Sequence, residues 1–166
     1  MQIVVLDHHN NPIIGYNSFQ GSEKANIAQY SMSGDSLWTI QIKDDTSTYS
    51  INYLLTDTLG NLYAVLNQSY YNGGDLPTQN IVVLKLNQAG NLQWRKPLND
   101  LSPRKLIFDH SSNLILATHG TGKIIKLNTS GDTIWNYSSS IIVTDIAIDS
   151  KNNIVVSGYG GGIGFF

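Results

Sequence analysis

The chain lacks cysteine and has few charges: none of its 166 residues is Cys, and charged residues make up 13% of it. Without thiols it can form neither a disulfide framework nor a thiolate metal site. The net charge is −2, and the scattered Lys and Arg form no clustered basic face, so we expect no nucleic acid partner. No apolar run approaches the length that crosses a bilayer, so we expect no membrane insertion.

Helical periodicity is also missing. No window keeps apolar residues at i, i+3, i+4 and i+7 over the length of a helix. Apolar residues come instead in short runs rich in Val, Ile, Tyr and Thr, and Gly, Asn, Asp and Ser separate these runs. Such runs are typical of strands joined by tight turns. The sequence therefore predicts an all-β chain with almost no helix.

What the chain does contain is an internal repeat. Three segments share the motif Gly-x-x-x-Trp with Asp or Asn directly after the Gly, and they hold all three Trp of the chain. A second motif, centred on an Asp, alternates with the first. Repetition at this period determines the expected fold. The repeated residues are Gly34 and Trp38, Gly90 and Trp94, Gly131 and Trp135, and the aspartates Asp7, Asp57, Asp109 and Asp149.

The predicted strands fall into groups of four, named A to D in chain order, with the aspartates in the A–B turns. Successive aspartates are 50, 52 and 40 residues apart. Four antiparallel strands repeating every ~40–50 residues are typical of a β-propeller blade. The sequence thus predicts a single domain over 1–166 that is a partial β-propeller of about three and a half blades. The expected blades span about 1–43, 50–98, 104–138 and, incompletely, 142–166.

Structural roles are predicted for both motifs. One indole at the same place in each blade fills the widening gap between twisted sheets. The turn aspartates accept backbone N–H groups in the A–B turns. Calcium loops need several oxygens at close alternating spacing, which these turns do not supply. His8, His9 and His110 are expected to be exposed turn residues, so we predict no metal site, and Asp44 and Asp45 are expected to be solvated in a polar loop.

The segment Asn80–Trp94 resembles the repeats of bacterial SBBP-type β-propellers. The same pattern of residues also resembles the repeats of quinoprotein-like propellers. The resemblance covers nearly the whole chain. It implies that each Gly-x-x-x-Trp pair is a docking motif between blades. The Asp of the fuller quinoprotein pattern, expected ahead of the Gly, is replaced at Tyr30 and Leu127, which favours the generic branch. No cofactor is expected.

The predicted function is a non-catalytic scaffold or recognition module, because no residue set qualifies as catalytic. The segment 117–123 resembles a phosphate-binding loop but lacks the Ser or Thr and the helix that must follow. An inserted loop holds the candidate binding residues Tyr70, Tyr71, Asn72 and Asp75. One alternative is a carbohydrate-binding propeller that uses tyrosines in loops at Tyr49, Tyr53, Tyr70 and Tyr71. Another is a quinoprotein-like or lyase-like propeller enzyme.

Three and a half blades cannot close a ring. An open ring leaves unpaired strand edges and an uncovered apolar face. We therefore expect a protein partner or a second copy of the chain to complete the propeller, and a glycan is a further candidate ligand. A secreted or cell-surface location is expected if the chain is a piece of a longer precursor, and a cytoplasmic one if it is complete as written.

Overall fold

The computed structural model describes residues 2–18, 24–71, 73–74, 76–99, 102–119, 122–138, 140–160 and 164–165. These residues form fifteen strands and no helix, so no described segment is an apolar helix of membrane-spanning length. The strands are β1 (Gln2–Leu6), β2 (Pro12–Ser18), β3 (Lys24–Tyr30), β4 (Ser36–Ile42), β5 (Ser47–Thr56), β6 (Leu62–Tyr70), β7 (Thr78–Leu86), β8 (Leu92–Asn99), β9 (Ser102–Phe108), β10 (Leu114–His119), β11 (Lys123–Leu127), β12 (Thr133–Ser138), β13 (Ile142–Ile148), β14 (Ile154–Tyr159) and β15 (Gly164–Phe165).

The strands form four antiparallel sheets in which each strand pairs with its neighbours in sequence. We number these sheets in chain order. Sheet 1 is β1–β4, sheet 2 is β5–β8, sheet 3 is β9–β12 and sheet 4 is β13–β15. The predicted grouping into fours is confirmed. Sheet 4 adds a two-residue third strand, β15, where the sequence pattern had indicated only two strands.

The chain divides into two compact units, and the first comprises residues Met1–Asp100 with sheets 1 and 2. Its core forms because side chains alternate along each strand, so that the apolar side chains on one face of sheet 1 pack against those on one face of sheet 2. Gly15 allows the two sheets to approach closely, since a Cβ there would lie 2.9 Å from the Ile51 Cδ1 atom. The buried core residues are Ile13, Ala25, Ile27, Tyr49, Ile51, Leu54, Leu62, Ala64, Leu66, Val82, Leu84 and Leu86.

The second unit comprises residues Leu101–Phe166 with sheets 3 and 4. Its core follows the same alternation, and Trp135 packs against it. Polar contacts also join the two sheets at their A strands. The Arg104 Nε atom donates a hydrogen bond to the Thr144 carbonyl oxygen, and Lys105 forms a 3.1 Å ion pair with Asp145. The buried core residues are Ile115, Ala117, Ile124, Val143, Ile146, Ile154 and Val156.

Seven turns within the sheets share one backbone template. The N–H of the first residue donates to the carbonyl oxygen of the fifth, and the N–H of the fourth donates to the carbonyl oxygen of the first. The fourth residue always has a positive φ, which favours Gly and Asn. In the A–B turns this residue is Asn10, Gly60, Ser112 or Asn152, and in the C–D turns it is Gly34, Gly90 or Gly131.

Candidate functional site

Each A–B turn is held by the carboxylate of its first residue. Its Oδ1 atom accepts the backbone N–H groups of the third and fifth turn residues. Its Oδ2 atom accepts the side-chain amide of the fifth turn residue, which is always Asn. The distances in all four turns lie between 2.8 and 3.2 Å. A short acceptor side chain can satisfy several turn donors in this way. The four residues are Asp7, Asp57, Asp109 and Asp149.

Two of these carboxylates are also held by the neighbouring C strand. Asp109 forms a 2.6 Å ion pair with Lys126, and its side chain is 1% exposed. Asp7 accepts a hydrogen bond of 2.6 Å from the Gln29 side chain at the equivalent position. Burial raises the pKa of Asp109, but the Lys126 ammonium and the hydrogen bonds from Asn113 and Ser111 outweigh it and hold this pKa below its ordinary value.

The C–D turns use the same device. Their first residues are Ser31, Asn87 and Asn128, each of which directly follows a C strand. The Asn87 Oδ1 atom accepts the N–H groups of Ala89 and Asn91, and Asn128 does the same in sheet 3. The signal missed in the sequence was the four-residue spacing from Asn to Asn or Asp, which repeats the spacing of the A–B turns.

Trp38 joins sheet 1 to the C–D turn of sheet 2. Its indole lies against Gly90, where a Cβ would come within 2.7 Å of the Trp38 Cδ2 atom. Its Nε1–H donates a 3.0 Å hydrogen bond to the Gln88 carbonyl oxygen. The indole therefore depends on two features of the turn: the absence of a side chain at Gly90 and the Gln88 carbonyl oxygen that accepts its hydrogen bond.

The other two tryptophans are half-buried on their own sheets. Trp94 meets Tyr63 edge-to-face, with ring centroids 5.9 Å apart. Trp135 packs against the core of the second unit. The fold thus places the two indoles on sheet faces and not at exposed loop tips.

A polar network at the start of β5 differs from the sequence expectation. Asp44 is not simply solvated, because its carboxylate accepts hydrogen bonds from Tyr49 and from the backbone of Ser47. Tyr49 is fully buried in β5, and its hydroxyl also accepts hydrogen bonds from Arg95 and Gln68. Burial raises the pKa of Asp44, but the hydrogen bonds that its carboxylate accepts from Tyr49, Thr46 and Ser47 outweigh burial and lower the pKa to about 2.

This network borders an open cleft of about 340 Å³ between the outer strands of sheets 1 and 2. Its walls are mainly apolar, and Lys43 and Arg95 are among the residues that line it. The guanidinium of Arg95 lies over the Tyr49 ring, 5.3 Å from its centroid. Tyr49 therefore holds the guanidinium of Arg95 in place through a hydrogen bond to its hydroxyl and a cation–π contact with its ring.

Three possible metal ligands meet in the first A–B turn, because atoms of Asp7, His8 and His9 lie within 4.8 Å of one another. Both oxygens of Asp7 already accept hydrogen bonds, two each. His8 lies against Gly60 of the next A–B turn. These contacts give the cluster a structural role within the first unit.

The candidate binding loop lies between β6 and β7. Tyr71 is 70% exposed and Leu76 is 80% exposed, whereas Tyr70 is half-buried at the end of β6. Asn72 and Asp75 lie outside the described residues. Tyr49 and Tyr53, named above as loop tyrosines, belong to β5, so they do not extend this surface.

No protein-family model matches the chain, and no curated protein matches it by sequence. Solved structures do match. The periplasmic gluconolactonase PpgL of Pseudomonas aeruginosa has a TM-score of 0.57 and 14% identity over 98% of this chain and 55% of that one. A protein of unknown function from Bacteroides caccae has a TM-score of 0.53 and 12% identity over 95% and 64%. The C-terminal WD40 domain of Sif2 has a TM-score of 0.46 and 12% identity over 99% and 65%.

The repeated antiparallel sheets and the likeness to PpgL define the class of the protein. It is an all-β, partial β-propeller built of four-stranded blades. The chain spans between 55% and 65% of the length of these three structures.

Proposed function

We propose that the chain is a non-catalytic β-propeller module that mediates protein–protein or self-assembly contacts as part of a larger propeller. The observation that carries this proposal is the outward face of sheet 1, the face opposite sheet 2. Val4 is 60% exposed there and Leu6 is 52% exposed, while Ile3 and Val5, which alternate with them along β1, pack against the core. A strand with one face in water is normally polar on that face.

The extent of the fold supports the same proposal. The matched structures are longer than this chain, which spans 55% of PpgL. Propellers are built of about four to eight blades, and sheet 4 has three strands among the described residues. Further blades from a partner or a second copy would cover the apolar face.

The chemistry of the described residues favours binding over catalysis. The carboxylates of Asp44 and Asp109 have lowered pKa values, and their oxygens are engaged in hydrogen bonds and an ion pair with neighbouring residues. A perturbed pKa can also arise from such structural pairing. We therefore assign these groups to stability.

Sedimentation equilibrium tests the proposal on the full chain. We expect masses above the 18.3 kDa of one chain at rising concentration. Val4→Lys places a charge on the apolar face and should return the mass to that of one chain. Leu59→Lys, at a 71% exposed position in the A–B turn of sheet 2, is the matched control and should leave the mass unchanged. A single-chain mass together with slow amide exchange throughout β1 and β2 would contradict the proposal, because the face would then be covered without a partner.

Carbohydrate binding is the second candidate, since Tyr71 presents an exposed ring on the loop after β6. Aromatic rings with a polar tip suit surfaces that bind polar ligands. A glycan array tests it: binding that Tyr71→Ala abolishes and Tyr137→Ala, at another exposed tyrosine, preserves would favour this candidate.

A further inference from the structure

We propose that the outward face of sheet 1 is a docking site for a further four-stranded blade, whose indole lies on Gly34 and donates its N–H to the Met32 carbonyl oxygen. The inference rests on the proposed function and names the partner that covers the apolar face.

The template for the site is the contact between sheets 1 and 2. Trp38 lies against Gly90, the fourth residue of a C–D turn, and its Nε1–H donates to the carbonyl oxygen of Gln88, the second residue of that turn. The contact needs no side chain from the turn. It needs a turn of this backbone geometry, with no Cβ at the fourth residue.

Sheet 1 carries the same turn with the indole position open. The turn begins at Ser31, so Met32 corresponds to Gln88 and Gly34 corresponds to Gly90. The two backbone hydrogen bonds are present, at 2.8 and 3.0 Å, and Gly34 has a φ of 92° where Gly90 has 78°. A Cβ on Gly34 would meet no atom within 4 Å among the residues that the structure describes.

The rest of the outward face corresponds to the face of sheet 2 that sheet 1 covers. Counting from the A–B and C–D turns pairs each residue with its equivalent, and both members of most pairs are apolar. The members on sheet 2 are buried in the core. The pairs are Val4 with Leu54, Ile14 with Ala64, Tyr16 with Leu66, Ala28 with Leu84 and Tyr30 with Leu86.

The occupant is therefore a blade of this same repeat that ends in Gly-x-x-x-Trp. Sheet 4 of a second copy does not fit this description, because the three Trp of the chain lie in sheets 1 to 3. The blade presents its D strand and indole to the C–D turn of sheet 1, as β4 presents Trp38 to sheet 2.

A tandem chain tests the site. A copy of residues 2–46, which contains Trp38 and the segment that joins sheet 1 to the next sheet, is placed ahead of residue 2 of the full chain. We expect amide exchange in β1 and β2 of the original sheet 1 to slow, and the Tm to rise relative to the unextended chain.

Two substitutions isolate the indole contact in the tandem chain. Gly34→Asn in the original sheet 1 keeps the turn, since Asn10 and Asn152 hold the same turn position at positive φ. Its side chain occupies the place of the indole, so we expect the Tm to fall by at least about 2–4 °C. Trp38→Phe in the added copy removes the N–H donor and should also lower the Tm. Gly73→Asn is the matched control, because Gly73 has a φ of 91° and open space around it.

The outcomes separate this inference from the proposed function. In the unextended chain, Gly34→Asn should change the Tm no more than Gly73→Asn does. If exchange in β1 and β2 slows in the tandem chain but neither Gly34→Asn nor Trp38→Phe has an effect, a blade covers the face without the indole contact, and the inference is wrong while the proposed function stands.

If exchange in β1 and β2 does not slow, the site does not accept this blade, whatever the sedimentation masses show for self-assembly. Concentration-dependent protection of the unextended chain that Val4→Lys removes and Gly34→Asn leaves intact would assign the face to a second copy and overturn the inference.

Discussion

A single carboxylate can close a turn and tie it to the adjacent strand, as Asp109 does. Its two oxygens accept two backbone N–H groups and the Asn113 amide, and Lys126 adds an ion pair. Because the carboxylate is almost fully buried, losing it leaves the ammonium of Lys126 and three turn donors without their partner. Such groups are costly to leave unpaired.

We predict that Asp109→Ala lowers the free energy of unfolding by about 3 kcal/mol, since it breaks a buried pair and three turn hydrogen bonds. Urea unfolding measures the change. Asp149→Ala is the matched control: it removes the same turn contacts at a more exposed aspartate, so its effect should be smaller. Equal losses for the two variants would show that burial and Lys126 contribute nothing.

The same pairing makes stability depend on pH. Because the folded pKa of Asp109 is lower than its unfolded value near 3.9, its contribution is fully present above that value and is lost as the pH falls through the folded pKa. Asp109→Asn removes this titration. The acid limb of its unfolding free energy should therefore be shallower than that of the parent chain.

At the scale of an element, the contact between β4 and the C–D turn of sheet 2 determines how sheets 1 and 2 pack. An indole fills space that grows as twisted sheets diverge, and Gly90 gives it room. Gly34 provides the comparison, because it holds the same turn position with open space around it.

We predict that Gly90→Ala destabilises the chain by about 1–3 kcal/mol more than Gly34→Ala does, because only the former forces a methyl group into the Trp38 ring. Both variants share the cost of an L side chain at positive φ, so the difference measures packing. Thermal unfolding of dilute protein checks it. Similar losses would mean that the indole moves aside freely.

Local patterns made much of the sheet structure predictable. Short apolar runs and Asn- or Gly-containing turns depend on neighbouring residues, so the four sheets and their order followed from the sequence. The start of β5 did not, because Ser47 and its neighbours are polar and resemble a loop. They form a strand since Tyr49 buries its ring and finds Arg95, which lies 46 residues further along the chain. The contact of Trp38 with Gly90 was likewise not predictable from local patterns, because it depends on which sheets lie next to each other.

At the scale of the whole molecule, the chain comprises two compact units with separate cores, residues Met1–Asp100 and Leu101–Phe166. Every sheet is a meander of sequence neighbours, so its hydrogen bonds close locally. In repeat architectures of this kind stability is approximately a sum over repeats and their nearest-neighbour interfaces.

We predict that residues 1–100 fold on their own, because the core of sheets 1 and 2 lies entirely within them. Circular dichroism and urea titration should show a β spectrum and one cooperative transition. Residues 1–46 are the control and should stay unfolded, since sheet 1 alone has no partner for either apolar face. A transition in the shorter fragment, or none in the longer one, would contradict the assignment of the core.

The seven turns of common design also bear on how such a chain can change over generations. Each turn is completed by its own side chain, so duplicating or deleting a stretch of ~40–50 residues carries the means of closing its hairpins with it. Recombination between copies can therefore alter the number of units without redesigning their connections.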